Sequence, residues 1–420
     1  MKQNIFAGLD LGTTKVCAII AEKKENGSFD ILGFGSSPSV GLSKGMVVNI
    51  AKTAEAIVEA MSIARNKAGI DITEVNVGVA GEHIKIMRYL NYVTINNPER
   101  EVTQLELDRL HADVKMVQIS EEKQIIHIIP EQFTIDNHIK VDNPIGMAGQ
   151  RLEAAHNVVM AATTALTNIR KSVERAGYSV KNFILQPIAS SLSVLEDEET
   201  DVGVALIDIG GGTTDMAVFE EKRIKHTKVI GIAGNMVTND IRESLGIVTA
   251  EAEKLKREHG YTHESAIIRD QEIFIKRVGA RGNIKIPTSL LTQIIHARMK
   301  ELFEILNLEL EDSKNKEKLK AGIVLTGGGS MLKGCVELAE EVFGVPARIG
   351  YPIDLTPGLS SEIGKPEYAT VVGLIKNIPG NEDEGSEVTE IEPEIKQEKK
   401  KKDSGASKLM KRIIQFFDEL

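Results

Sequence analysis

The feature that most constrains this chain is a repeated pattern of aspartate, glycine and threonine. It occurs at 8–15 as GLDLGTTK and again at 208–215 as DIGGGTTD. Each copy follows a short apolar run and leads into another β-prone run, so each predicts two strands joined by a tight turn. Two near-copies far apart in the chain predict a duplicated fold in which both hairpins grip one ligand.

The composition of the two turns indicates phosphate binding. Glycines let backbone N–H groups approach an anion closely and allow φ > 0, and threonine hydroxyls add further donors. Carboxylates would repel a polyphosphate, so Asp10 and Asp208 are predicted to face a divalent cation, for which Mg²⁺ is the usual partner of nucleotide phosphates. Either copy alone would more simply be a structural Asp-x-Gly turn, and only the repetition favours function.

A third glycine cluster strengthens this interpretation. Gly327, Gly328 and Gly329 follow the apolar run 323–326 and precede a helical pattern, which is a common way to place backbone against a nucleotide. The chain has neither a Walker A motif nor a Gly-x-Gly-x-x-Gly fingerprint. In this order and spacing, the three elements resemble the two phosphate motifs and the adenosine motif of the superfamily of actin, Hsp70 and sugar-kinase ATPases.

The resemblance implies ATP and Mg²⁺ as cofactors and a role for each matching residue. The stretch 231–241, with Gly234 and Asn235, resembles the segment that approaches the ribose. Glu253 and Lys256 resemble a pair that faces the nucleoside, although a solvated helical ion pair would explain them equally. Gln186 occupies the position expected to orient a water. The residues expected on the phosphates, the metal and the adenosine are Asp10, Gly12, Thr13, Thr14, Lys15, Asp208, Gly210, Gly211, Gly212, Thr213, Thr214, Gly327, Gly328 and Gly329.

The implied fold class is α/β, an actin-like duplicated ATPase fold of two ribonuclease-H-like lobes. We expect 1–81, 161–198 and 354–378 to form the first lobe, 199–230 and 301–353 the second, and 231–300 a smaller subdomain of the second. The small-residue stretches 186–195 and 369–375 resemble the two helices that connect the lobes.

Between 82 and 160 the pattern changes to one helix among β-rich runs, which predicts an inserted α+β subdomain. A Thr103-x-x-Glu106 capping box opens the helix. His127 and His138 alternate with apolar residues, so both are expected on exposed strand faces.

The end of the chain has two parts of different character. Segment 379–406 is highly charged and cannot bury enough apolar surface to fold, so we expect a disordered linker. Segment 407–420 predicts an amphipathic helix, because steps of about 100° per residue bring its apolar residues onto one arc. Such a helix is too short to span a bilayer and could dock on this protein's own core, on a partner or on lipid. Phenylalanines and a cationic flank favour anionic membrane. The expected membrane-binding residues are Lys408, Leu409, Met410, Arg412, Ile413, Ile414, Phe416, Phe417 and Leu420.

The insert, the acidic linker and the terminal helix together resemble the FtsA family of bacterial cell-division proteins. This resemblance implies a polymerising adaptor with weak or slow ATPase activity at most, in which ATP is an assembly cofactor. It would self-associate into filaments and anchor the tubulin-like division ring to the cytoplasmic face of the inner membrane as a peripheral protein at the division site. The ring protein is expected on 231–300, which contains a locally basic run, and later division proteins are expected on the insert.

Two other members of the superfamily remain as alternatives, a pilus-assembly actin homologue and a small-molecule kinase. A chaperone ATPase of the usual layout is not expected, since the residues after 378 are mostly linker. A general nucleic-acid binder is also not expected, because the net charge is −10, tryptophan is absent and aromatic residues make up only 4%. Cys17 and Cys335 lie in apolar patterns and suggest a reducing compartment rather than a disulfide.

Overall fold

The computed structural model describes residues 5–117, 119–141, 143–275, 282–356, 360–376 and 388–390. The chain begins with an α/β lobe. Its elements are β1 (Ile5–Leu11), β2 (Lys15–Lys23), β3 (Phe29–Pro38), β4 (Leu42–Ser43), β5 (Met46–Val47), α1 (Ile50–Ala68), β6 (Ile70–Ile72) and β7 (Glu74–Val79). Helix α1 begins where the Asn49 side chain accepts a hydrogen bond from the Lys52 N–H, and it ends at Gly69, whose φ is 68°. Both ends follow the ordinary rules for helix caps.

The predicted insert forms a separate sheet with one helix packed on it. Its elements are β8 (Lys85–Thr94), α2 (Gln104–Lys115), β9 (Lys123–Ile135), β10 (Ile139–Val141) and β11 (Arg151–Ala162), with strand order β10-β9-β11-β8. The Thr103–Glu106 capping box is present. Leu107 and Leu110 of α2 pack with Ile135 and Leu152 of the sheet, so the insert has its own small core.

His127 differs from the sequence expectation, and His138 is exposed as expected but lies in the turn between β9 and β10 rather than on a strand. The His127 side chain is only 4% exposed, and its Nε2 accepts a hydrogen bond of 3.0 Å from the Leu185 N–H. Burial lowers the pKa of His127 to about 4. Strand alternation placed His127 on one face of β9, but it could not reveal that this face packs against the first lobe.

The chain then returns to the first lobe and crosses to the second. The elements of this stretch are α3 (Thr163–Arg175), β12 (Ser179–Leu185), α4 (Gln186–Val194) and α5 (Asp197–Val202). The second lobe contains β13 (Val204–Ile209), β14 (Thr214–Glu220), β15 (Arg223–Ile230), α6 (Gly234–Leu245), α7 (Thr249–His259), β16 (Glu272–Ile275), β17 (Ile284–Pro287), α8 (Thr288–Asp312), β18 (Gly322–Thr326), α9 (Cys335–Phe343) and β19 (Ala347–Ile349). The last elements are α10 (Ser360–Ile363), α11 (Ala369–Gly373) and β20 (Val388–Glu390).

The two lobes carry the duplication predicted from the repeated motif. The first sheet has the order β12-β7-β1-β2-β3, and the second has the order β19-β18-β13-β14-β15. In each sheet the motif hairpin, β1–β2 or β13–β14, is antiparallel. The first strand of each hairpin also pairs in parallel with the strand on its other side, β1 with β7 and β13 with β18. The two phosphate-type turns therefore occupy equivalent positions in two copies of one sheet.

Helices α4 and α11 lie against each other between the lobes, as expected of the connecting helices. The two helices are so close that a Cβ on Gly373 would overlap the Ala189 carbonyl oxygen. The Ser193 hydroxyl on α4 also donates to the Ala369 carbonyl oxygen on α11 at 2.7 Å. Small residues permit this spacing, so larger ones at these positions would push the helices apart.

One part of the predicted linker is structured. Val388–Glu390 forms β20, which pairs antiparallel with β6. Strand β6 pairs with no other strand among the described residues, so its backbone edge is available, and the β-branched Val388 and Thr389 favour an extended backbone. The rest of 379–406 and all of the predicted helix at 407–420 lie outside the described residues. Within the described part of the chain, no helix has the length and apolar character needed to cross a membrane.

Candidate functional site

The two glycine–threonine turns are brought into direct contact between the lobes. A Cβ on Gly212 would overlap the Thr13 side chain, and a Cβ on Gly211 would overlap the Thr14 side chain. None of Gly12, Gly210, Gly211 and Gly212 has a positive φ, so the expectation of left-handed backbone in these turns is wrong. Gly211 and Gly212 are needed because the opposing turn leaves no room for a side chain, whereas a Cβ on Gly12 or Gly210 would meet the Lys15 or Thr213 carbonyl oxygen of its own hairpin.

Asp10 is the penultimate residue of β1 and faces the connecting helix α4. Its Oδ1 accepts a hydrogen bond of 2.9 Å from Nε2 of Gln186, the first residue of that helix. Burial, with repulsion from the Asp208 carboxylate, raises the pKa of Asp10 to about 7. The structure thus brings together Asp10 and Gln186, which the sequence assigned to the metal and to water positioning.

Asp208 is held by both connecting helices. Its Oδ2 accepts hydrogen bonds from the Ser190 hydroxyl on α4 at 2.7 Å and from the Thr370 hydroxyl on α11 at 3.1 Å. Its Oδ1 lies against Gly327, where a Cβ would overlap it, and Gly327 has a φ of 82°. Burial raises the pKa of Asp208, although the two hydroxyls oppose that effect.

A third carboxylate, Asp215, belongs to this cluster and was not predicted. It pairs with Asp208 in the register of the second hairpin and is only 4% exposed. Its Oδ1 is buried without a hydrogen-bond partner, and burial together with repulsion from Asp208 raises its pKa well above the usual range. The sequence offered one indication of this role. Asp215 directly precedes the apolar run 216–219, and a charged side chain at such a position is rarely buried without a function.

The three aspartates fit a divalent cation held through water. Burial is the main reason that the pKa of each carboxyl is raised, and a bound cation would favour the ionised carboxylates. Yet no three His, Cys, Asp or Glu side chains in the described ranges are arranged to ligate a metal directly. Carboxylates that contact the waters of a hydrated ion satisfy both observations, because Mg²⁺ usually keeps several of its waters.

The predicted phosphate-binding side chains do not all face the cleft. The Thr213 hydroxyl lies 3.3 Å from Oδ2 of Asp215, but Thr214 is fully buried and donates to the Ile232 carbonyl oxygen at 2.7 Å. The Thr214 hydroxyl therefore serves the backbone, contrary to the expected phosphate contact. Lys15 donates to Oε2 of Glu367 at 2.6 Å.

The segment expected beside the ribose is attached directly to the second turn. The N–H groups of Gly234 and Asn235 donate to the carbonyl oxygens of Gly210 at 3.1 Å and Gly211 at 2.8 Å. These hydrogen bonds place the N-terminus of α6 next to the glycines. A helix N-terminus beside a phosphate-type turn is favourable for an anion.

Glu253 and Lys256 form more than a solvated helical ion pair. The Lys256 ammonium lies 2.7 Å from Oε2 of Glu253 and donates to the Gly234 carbonyl oxygen at 2.9 Å. It is only 8% exposed, and burial lowers its pKa. The pair therefore extends the site from α7 to the start of α6.

In the third glycine cluster, Gly327 precedes a short 3₁₀-helix at Gly328–Met331, and α9 starts only at Cys335. The Gly327 N–H donates to the Pro366 carbonyl oxygen at 3.2 Å, which ties this turn to the residues before α11. A Cβ on Gly328 would meet only the Glu367 Cβ, at 3.8 Å. The cluster thus borders the same cleft as both hairpins.

Comparison with known proteins decides the family. The sequence model described as "Cell division protein FtsA" matches residues 205–373, and the one described as "SHS2 domain inserted in FTSA" matches residues 81–160. The chain is 40% identical over 371 residues to the cell division protein FtsA of Pseudomonas aeruginosa, covering 88% of each chain. It is 35% identical to that of Escherichia coli K12, covering 89% of this chain and 90% of the relative. The chain belongs to the FtsA family.

Solved structures confirm the actin-like ATPase fold of this FtsA-family chain, and the sequence model for residues 81–160 confirms its inserted subdomain. The PilM–PilN type IV pilus biogenesis complex aligns with a TM-score of 0.61 at 19% identity, covering 88% of this chain and 97% of that one. MreB5 of Spiroplasma citri bound to ADP aligns with a TM-score of 0.52 at 16% identity, covering 89% and 95%. At these identities the likeness concerns the fold, whereas the family rests on the FtsA relatives.

Proposed function

We propose that this FtsA-family chain binds ATP with Mg²⁺ in the cleft between its lobes. The observation that carries the proposal is the contact between the two glycine–threonine turns, with Asp10, Asp208 and Asp215 buried beside them. Similarity in fold to MreB5, which has been solved bound to ADP and to AMPPNP, supports the choice of a nucleotide.

Each end of the nucleotide has a matching part of the cleft. Lys15, Thr13, Thr14 and Thr213 would bind phosphate oxygens, with the glycines at 12 and 210–212 letting the backbone of both turns approach them. Gly327, Gly328 and Gly329 would lie under the adenosine. Gly234, Asn235, Glu253 and Lys256 would contact the ribose and base. Asp10 and Asp208, joined by Asp215, would hold waters of the magnesium ion, whose charge would offset that of the phosphates.

Hydrolysis should be slow because the group beside Asp10 is an amide. Gln186 donates through Nε2 to Asp10, so its carbonyl oxygen is the atom left to orient a water. An amide can accept a hydrogen bond from water but cannot take up its proton as a general base. We infer that ATP acts mainly as an assembly cofactor, which agrees with a cell-division role rather than with turnover of a substrate.

The division role of the family suggests an adaptor that polymerises and anchors the division ring to membrane. We propose that 407–420 binds anionic lipid at the cytoplasmic face of the inner membrane through its apolar arc and its basic flank. The tubulin-like ring protein would bind within 231–300. There Ile268 is 97% exposed and is followed by the basic Arg269, and Phe274 is 69% exposed with Lys285 Nζ 4.6 Å from its ring centroid. A mixed apolar and basic surface suits an acidic peptide segment.

The insert offers a second surface, which we assign to later division proteins. Strand β8 lies at the edge of its sheet, and Leu90 and Tyr92 on that strand are 63% and 59% exposed. They point away from α2, since the intervening Asn91 donates to the Leu110 carbonyl oxygen of that helix. An exposed apolar pair on an open strand edge is favourable for adding a partner strand.

A sedimentation experiment with liposomes tests the combined proposal. The protein is mixed with vesicles containing anionic phospholipid, with ATP and Mg²⁺, with ADP, or with neither. We expect most binding with ATP and Mg²⁺, because polymers present many tails to one surface. Independently, titration with a fluorescent ATP analogue should show Mg²⁺-dependent saturation. Saturation without any lipid binding would support the nucleotide site and remove the anchor from the proposal.

A further inference from the structure

An ion pair joins the end of the first phosphate-type turn to the short segment that lies against the third glycine cluster. Lys15 Nζ lies 2.6 Å from Oε2 of Glu367, and both side chains are 22% exposed. Glu367 belongs to the short 3₁₀-helix Pro366–Tyr368, immediately before α11. The residues lie 352 positions apart, so only the folded chain brings them together.

The surroundings place this pair inside the candidate nucleotide site. The Lys15 ammonium also lies 3.8 Å from the centroid of the Tyr368 ring. The Cβ of Glu367 lies 3.8 Å from where a Cβ on Gly328 would be, next to the turn assigned to the adenosine. Pro366, the residue before Glu367, accepts hydrogen bonds from the Gly327 N–H at 3.2 Å and the Thr326 hydroxyl at 3.3 Å.

We propose that Glu367 competes with the phosphate groups of the nucleotide for Lys15 and thereby sets the affinity of the site for phosphorylated ligands. This inference rests on the proposed ATP site. A single ammonium has three donors, but it cannot place a carboxylate and a polyphosphate at the same close position without bringing like charges together. Phosphate binding therefore requires that Lys15 move away from Glu367 or share its charge with it.

The geometry also shows why Lys15 would stay in the site without Glu367. Contact with the face of the Tyr368 ring is favourable for a cation, so removing the carboxylate leaves the ammonium beside the ring rather than in solvent. The released ammonium would then be available to phosphate without first breaking a charge-assisted hydrogen bond.

The test compares the affinities of the full-length protein for a fluorescent ATP analogue, for ADP and for adenosine. Glu367→Gln, which preserves the size of the side chain, should bind ATP and ADP about three- to tenfold more tightly. Its affinity for adenosine should stay the same. Glu367→Ala should change affinity in the same direction. As a matched control, Glu362→Gln removes a nearby but more exposed pair, in which Lys67 Nζ lies 3.1 Å from Glu362, and should leave all three affinities unchanged.

A second background separates competition for Lys15 from simple repulsion of the phosphates. In Lys15→Met the Glu367→Gln change should have no further effect, because the contested ammonium is gone. An equal gain in both backgrounds would overturn the inference, since Glu367 would then act directly on the phosphates. Unchanged or weaker ATP binding by Glu367→Gln would overturn it as well, while leaving the ATP site itself intact. If the wild-type protein binds no nucleotide, both the proposed function and this inference fail.

Discussion

The Ser190 hydroxyl donates a hydrogen bond of 2.7 Å to Oδ2 of Asp208, and this bond links a connecting helix to the second phosphate-type hairpin. Thr370 on the other connecting helix donates to the same oxygen at 3.1 Å. Each of the two helices that join the lobes therefore donates a hydrogen bond to the same buried carboxylate oxygen. A shift of Asp208 toward a cation would change its hydrogen bonds from α4 and α11. Binding of a cation in the cleft is therefore coupled to the arrangement of the two lobes.

Replacing Ser190 with alanine should lower the free energy of unfolding by about 1.5–3 kcal/mol, because it removes a hydrogen bond to a buried charged group. Urea denaturation measures the change. The matched control is Ser191→Ala on the same helix, whose hydroxyl donates only to the Ile188 carbonyl oxygen of its own helix. Equal losses in the two variants would mean that the hydrogen bond to Asp208 stabilises the fold no more than an ordinary hydrogen bond within the helix.

Gly212→Val should abolish ATP binding. The added side chain would overlap Thr13 of the opposing turn, so the two turns could not keep their contact, and it would also intrude on the space assigned to phosphate. Titration with a fluorescent ATP analogue measures the affinity, and urea denaturation verifies that the variant is folded. Wild-type affinity in a folded variant would show that the nucleotide does not bind between these turns.

Gln186→Glu should accelerate ATP hydrolysis, on the order of tenfold to a hundredfold, because a carboxylate can accept a proton from the attacking water and an amide cannot. Phosphate release under saturating ATP and Mg²⁺ measures the rate. Gln124→Glu, on an exposed position of β9, adds the same charge far from Asp10 and should leave the rate unchanged. An unaltered rate in Gln186→Glu would remove this residue from the neighbourhood of the attacking water.

The pKa of Asp10 predicts a pH dependence of stability that Mg²⁺ should reduce. Its pKa is raised from 3.8 to about 7, so between these values the folded state keeps a proton that the unfolded state releases. This contribution to stability is fully present below about pH 4 and is lost as the pH rises to about 7. Urea denaturation at pH 5 and pH 8 without Mg²⁺ should therefore show a larger loss for the wild type than for Asp10→Asn.

Adding Mg²⁺ at pH 8 should restore much of that loss in the wild type and less in Asp10→Asn, because the cation replaces the proton as the source of positive charge. Parallel pH profiles for the two proteins, with no effect of Mg²⁺ on their difference, would contradict the proposed role of Asp10.

Phe416→Glu or Phe417→Glu should release the protein from anionic vesicles while leaving ATP affinity unchanged. Either change places a charge on the apolar arc of the predicted terminal helix, where insertion would have to bury it. Flotation with liposomes measures the bound fraction. Gln415→Glu adds the same charge to the polar face of that helix and should be much less disruptive. If both phenylalanine variants still float with the liposomes, the terminal helix is not the membrane anchor, and docking on a protein would replace its proposed role.

The local sequence was sufficient to predict the features that depend on neighbouring residues. Turn formation, helix caps and strand alternation follow from nearby side chains and backbone preferences. The two hairpins and the Thr103–Glu106 box could therefore be predicted in place. The duplication could also be predicted, because the same local motif occurs twice in an equivalent setting. The family resemblance extended these local features to a whole fold.

The tertiary structure alone decided which side of each element faces which neighbour. Thr214 and Thr213 are adjacent in one motif, yet only the packing of the Ile232 segment shows that Thr214 serves the backbone. His127 is buried because the insert rests on the first lobe, which a strand pattern does not encode. The unpaired Oδ1 of Asp215 and the Lys15–Glu367 ion pair likewise depend on residues that only long-range contacts bring together. Burial and charge pairing are properties of the assembled chain, so they became visible only once the lobes, the insert and the connecting helices were packed together.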